Sequence, residues 1–116
     1  MRGPGKVERR EPPARCAAGF EALCAAFAAL RDEGEATRFL RDLATPAELE
    51  AFAERWRIAL LLDEGAYSYR EIAAATGAST TTIARVARFL KEERHQGYRL
   101  MIDRMKKTAR RKEKAR

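Results

Sequence analysis

Histidine occurs once in this sequence, tryptophan once and cysteine only twice. Cys16 and Cys24 lie eight residues apart with no C-x-x-C pair, and His95 has no cysteine near it, so no metal site can be assembled on the usual ligand spacings. A glycine-rich phosphate loop is also missing, and one histidine without a Cys–His–Asp set leaves nothing from which to build a nucleophile and its base. The chain therefore reads as a non-enzyme with no cofactor. No run approaches the roughly 18 apolar residues that a membrane span requires; the longest strongly apolar one is IALLL at 58–62. An arginine-bearing start does precede the mostly apolar stretch CAAGFEALCAAFAAL at 16–30. Glu21 within it, the long polar lead and the helical spacing of its large residues argue against a secretory signal. The expectation is a soluble cytoplasmic protein in which Cys16 and Cys24 are buried, reduced thiols. Strand-like alternation and internal repeats are absent too.

What is present is charge, unevenly placed. The 116 residues have room for one all-helical domain, and 46% apolar with 35% charged residues suits a globular protein with a densely ionised surface. The formal net charge of +7 divides into +3 over residues 1–15, −4 over 16–63, +1 over 64–90 and +7 over 91–116. A basic end on a nearly neutral middle points to a polyanionic partner, double-stranded DNA before anionic membrane; the plain alternative is a solvated, frayed tail.

Residues 1–15, with Pro4, Pro12 and Pro13, have nothing to bury and are expected to be disordered. Cys16, Phe20, Leu23, Cys24, Phe27 and Leu30 then recur at helical spacing, predicting a first helix that ends near Gly34. Ala36, Phe39, Leu40 and Leu43 mark a short second one. Thr45-Pro46-Ala47-Glu48 combines an N-cap threonine, a first-turn proline and a capping-box glutamate. The third helix it opens is apolar nearly all round in its later half and should stop at Gly65; a helix this greasy fits a central place or a subunit interface. In YSYREIAAATG, Ser68 and Glu71 form a second capping box, with Tyr67 placed to staple onto Ile72. Gly77 turns the chain, and Ser79 caps a helix running to about Leu90. Tyr98, Met101, Ile102 and Met105 make a last apolar stripe, after which KKTARRKEKAR trails off as a basic tail, 106–116.

Two short capped helices around one glycine, 69–90, suggest a helix-turn-helix. Ile72, Thr76, Ile83 and Val86 would face inward, Ala73 would sit where the helices cross, and Ser79, Thr80, Thr81, Ala84 and Arg85 would remain outward. Three successive threonines at a helix start are poor helix formers, but their hydroxyls and methyls suit base edges in a major groove. Arg70 could add a phosphate contact. The same spacing is also compatible with a plain helical hairpin.

TPAELEAFAERWRIALLL, YSYREIAAATGASTTTIARVARFL and GYRLMIDRM, in order and with consistent gaps, resemble the Trp repressor superfamily, and its YerC/YecD branch in particular, over roughly residues 20–105. The resemblance implies an all-α, intertwined homodimer that binds operator DNA as a transcriptional regulator, its two recognition helices about 34 Å apart. It implies DNA contacts at Arg70, Ser79, Thr80, Thr81 and Thr82. It also matches the family's corepressor clamp, a threonine and two arginines, to Thr45, Arg55 and Arg85. Two departures follow: Val86 stands where that pocket needs a glycine, and Phe89 where it needs a serine. Both fill space, so the expectation is a vestigial pocket closed to tryptophan, with DNA binding either constitutive or answering to another effector. The competing reading is a helical dimerisation or protein-interaction module with only non-specific nucleic-acid affinity.

Overall fold

The computed structural model describes residues 17–115, which form six α-helices and no strand: α1 Ala17–Ala28, α2 Glu33–Leu43, α3 Pro46–Glu64, α4 Tyr69–Thr76, α5 Thr80–Lys91 and α6 Gly97–Ala115. The segment 1–15 and Cys16 lie outside the described residues. Among those described, no helix is long and apolar enough to cross a membrane. The chain divides into two compact units at the Asp42–Leu43 junction.

In the first unit α1 stops at Ala28, short of Gly34, which sits inside the first turn of α2. The cause is a cap. The Glu35 N–H donates to Asp32 Oδ1 at 2.8 Å, and the Arg31 N–H donates to Glu35 Oε1 at 2.9 Å, so α2 begins where Gly34 was expected to end α1. Phe27 and Phe39 meet edge to face with ring centroids 5.4 Å apart, yet no described residue of α1 or α2 is buried, and Phe20 is 69% exposed. Cys24 is exposed as well, against the expectation of a buried thiol, because nothing within its own unit covers it.

The second unit holds the core. Thr45 caps α3, with the Glu48 N–H donating to its Oγ1 at 3.1 Å and its own N–H donating to Glu48 Oε1 at 2.8 Å. Gly65 closes the helix at φ 73°, in the left-handed region that favours glycine. Ile58, Ala59 and Leu62 of α3 pack with Ile72 of α4, Ala78, Ile83, Val86, Ala87 and Leu90 around α5, and Ile102 of α6. Of the last apolar stripe Ile102 is buried and Tyr98 is half-buried against the core, while Met101 and Met105 stay exposed.

The basic run is not a frayed tail, since α6 continues through it to Ala115. Lys, Arg and Ala are strong helix formers, which extends the helix past its last core contact. Its direction is set by Asp63 near the end of α3, which accepts from Arg99 Nη2 at 2.5 Å and from Lys106 Nζ at 2.7 Å, while Arg99 also reaches Asp103 at 3.0 Å. The hydrogen bonds from Lys106 and then Arg99 hold the Asp63 carboxyl below its ordinary value of 3.8.

A carboxylate whose pKa is lowered by folding stabilises the fold above its ordinary value, and that contribution disappears as pH falls through the lowered one. Both cations are substantially exposed, so Asp63→Asn should cost only about 1 kcal/mol near neutral pH. Urea unfolding of the two proteins should show this gap shrinking steadily as the pH is taken into the acid range; a gap independent of pH would remove the ion cluster from the stability of α6.

Candidate nucleic-acid interface

The helix-turn-helix is built from local hydrogen bonds that its sequence dictates. Ser68 and Glu71 close a capping box on α4: the Glu71 N–H donates to Ser68 Oγ at 3.1 Å and the Ser68 N–H to Glu71 Oε1 at 2.8 Å. At the other end Gly77 adopts φ 80° and its N–H donates to the Ala73 carbonyl at 2.8 Å. Thr76 locks the turn from inside, its hydroxyl donating to the Ile72 carbonyl at 2.8 Å and accepting from the Ala78 N–H at 3.2 Å. Ser79 then caps α5, accepting from the Thr82 N–H at 3.1 Å.

The three threonines part company here. Thr80 and Thr81 are exposed beside Ala84 and Arg85. Thr82 is half-buried, and its Oγ1 accepts from the Ser79 hydroxyl at 3.1 Å, so it completes the cap. Ile83, Val86, Ala87 and Leu90 occupy the opposite, buried face. Burying each of the three larger ones is worth roughly 1.5–3 kcal/mol. That outweighs the threonines' propensity loss of roughly a few tenths of a kcal/mol each, so packing holds the helix and leaves its N-terminal face available. Arg70, exposed on α4, stands one residue after the start of that helix.

A cleft of about 360 Å³ opens on the same unit, lined by Arg55, Arg85, Val86 and Phe89 together with His95, Gln96, Gly97 and Tyr98. The fold thus brings together four of the five residues of the expected vestigial pocket. Thr45 is absent from the lining and remains at the α3 cap. Val86 turns into the core, 1% exposed. The Phe89 ring receives two guanidinium groups, Arg85 at 4.5 Å from its centroid and Arg88 at 5.1 Å, and Arg55 lies 5.7 Å from the Phe52 ring. Space therefore remains beside these side chains, although complete closure was expected. The His95–Tyr98 wall was not foreseen. It is made by the turn between α5 and α6, where Gln96 takes φ 53° and its amide donates to the Glu93 carbonyl at 2.6 Å.

A family model described as Trp repressor protein matches residues 18–106, spanning both units and the whole helix-turn-helix. The chain belongs to the Trp repressor family. The uncharacterised protein YerC of Bacillus subtilis (strain 168) is 42% identical to it over 79 residues, 68% of this chain and 74% of YerC, which puts this member on the YerC side of the family. Among solved structures, it is similar to a TrpR-like protein from Eubacterium eligens ATCC 27750, with TM-score 0.69, 36% identity, and 76% of this chain and 89% of that one covered. It is likewise similar to a candidate Trp repressor from Staphylococcus aureus, with TM-score 0.70, 34% identity, and coverage of 79% and 89%. This family member thus keeps the helical scaffold, and its family match stops at Lys106, before the basic remainder of α6.

The division of labour at the start of α5 separates two kinds of threonine and serine. Ser79→Ala should cost about 1 kcal/mol by removing a cap. Thr80→Ala with Thr81→Ala should leave stability unchanged or raise it by roughly a few tenths of a kcal/mol, since alanine is the better helix former. Thermal or urea unfolding of the two variants reads both effects, and a large loss from the threonine pair would place them in the packing of α5.

Proposed function

We propose that this chain is a sequence-specific transcriptional regulator that reads double-stranded DNA through α4 and α5 as a homodimer in the cytoplasm, without tryptophan as corepressor. The observation that carries this reading is the polarity of α5. Its inner face is anchored by Ile83, Val86 and Leu90, while Thr80, Thr81 and Ala84 stand exposed on the first turns, where a recognition helix touches base edges. Ser79 and Thr82 position those turns, and Arg70 and Arg85 supply charge for flanking phosphates. Dimerisation is supported by the large apolar side chains left uncovered in one chain, with Leu43, Phe52, Leu100 and Met105 about half exposed. Those same exposed residues would also suit an interaction module that reads no DNA, so the test must separate the two.

Two side chains argue against tryptophan as corepressor. The Arg85 guanidinium stacks 4.5 Å from the Phe89 ring centroid, and Val86 and Phe89 stand at the positions where the family's pocket has a glycine and a serine.

In vitro selection on random duplexes at about 150 mM salt, where non-specific phosphate binding is weak, should enrich a two-fold symmetric site whose halves lie about one helical turn apart. Enrichment should be the same with and without L-tryptophan. Thr80→Glu with Thr81→Glu should abolish that preference while light scattering still reports a dimer; a variant that keeps its preferred site would remove these two residues from base reading, and a wild type that enriches no site would favour the interaction-module reading. Calorimetry should detect no L-tryptophan binding, and micromolar affinity would reverse the assignment of Val86 and Phe89.

A further inference from the structure

Past Met105, α6 buries nothing, yet it stays helical through ten more residues, to Ala115. At about 100° per residue, Lys107, Arg110, Arg111 and Lys114 fall within an arc of about 100° on one side. They line a single groove of about 310 Å³ whose walls are these four cations. Lys106 is drawn away to Asp63, and none of the four makes an ion pair among the described residues. The stripe runs over the eight residues 107–114, roughly 10 Å of helix axis in steps of roughly 1.5 Å. Four like charges concentrated on one face repel one another, a cost that a polyanion relieves.

We infer that this stripe is a second nucleic-acid contact, a helical rail of Lys107, Arg110, Arg111 and Lys114 that lies along the phosphate backbone of duplex DNA and reads no bases. The inference rests on the duplex-binding reading of the helix-turn-helix and adds a separate surface to it, outside the residues that match the family model. Three observations choose the occupant. The groove is cationic throughout, which excludes an apolar or basic partner. Residues 106–115 contain no side chain more apolar than alanine, so this helix has no face to insert into a lipid interface, which amphipathic membrane helices require. Its axial length spans about three phosphates of one strand at roughly 3.4 Å each, and arginine forks suit phosphate oxygens. Off this face stand the uncharged Thr108 and Ala109 and the adjacent Lys112 and Glu113, whose formal charges cancel, so the net positive charge is directional.

The test is a salt series, from about 50 to about 300 mM, of binding to a selected-site duplex and to a scrambled one, followed by fluorescence anisotropy. In the variant carrying Lys107→Gln, Arg110→Gln, Arg111→Gln and Lys114→Gln, affinity for both duplexes should fall together and the ratio between them should hold. The slope of log K against log salt should become shallower by about 3, since each of about three phosphate contacts contributes about 0.9. Glutamine is a good helix former, and circular dichroism should show α6 intact. Adding Thr108→Lys and Ala109→Lys to that variant restores two charges on the wrong side and should not restore the slope. An unchanged slope in the first variant, or a recovered slope in the second, overturns the rail; so does loss of binding to phosphatidylserine vesicles with duplex binding untouched. The Thr80→Glu, Thr81→Glu variant is measured alongside. If wild type shows no preferred duplex but the slope still responds to the four glutamines, the base-reading proposal fails while the rail stands.

Discussion

The burial of one face of α5 against α3 is the contact on which the rest of the molecule depends. Ile83, Val86, Ala87 and Leu90 meet Ile58, Ala59 and Leu62, and every other helix of that unit is placed by what it adds to this pair. Ile72 brings α4 to the seam and Ile102 brings α6. Because this packing holds α5 in place, the first turn of the helix is released from any structural duty beyond its cap. Residues that a helix would not choose, Thr80 and Thr81, can then be carried at small cost. The exposed N-terminal face of α5, the candidate recognition surface, follows from the core behind it.

Local hydrogen-bond devices were readable in the sequence because they involve residues three or four apart. Thr45 with Glu48, Ser68 with Glu71, and Gly77 after Thr76 each declare a helix end within a single turn of chain, and each is found where its pattern lies. Gly34 misled for the same reason it was noticed. A glycine after an apolar run resembles a stop, but Asp32 and Glu35 form a competing cap around it, and inside the first turn of α2 the glycine does no harm. The basic run misled in the opposite direction. Hydrophobic periodicity ends at Met105, whereas helix propensity does not, and only the second governs a helix that packs on nothing.

What could not be read was whatever depends on distant chain segments or on cover from outside the chain. The α5–α6 turn carries His95 to Tyr98 into the cleft beside Arg55 and Phe89 through a positive φ at Gln96, and glutamine gives no warning of such a backbone. Cys24 has the spacing of a buried residue and is exposed, because an apolar pattern states that a face wants covering without stating by what. The candidate DNA contacts were nameable by position, while the different duties of Thr81 and Thr82 emerged only from hydrogen-bond geometry.

The continuity of α6 has one further consequence, which concerns counting. Its rotation about its own axis is set at Ile102 in the core and at Lys106 on Asp63, and everything beyond inherits that phase. Substitutions at residues 103–105, between the two anchors, change composition and leave direction alone. One inserted or deleted residue there would swing every later side chain by about 100°, turning the cationic face toward another quarter while keeping each of its residues. Across this short stretch the chain can vary in letters far more freely than in length.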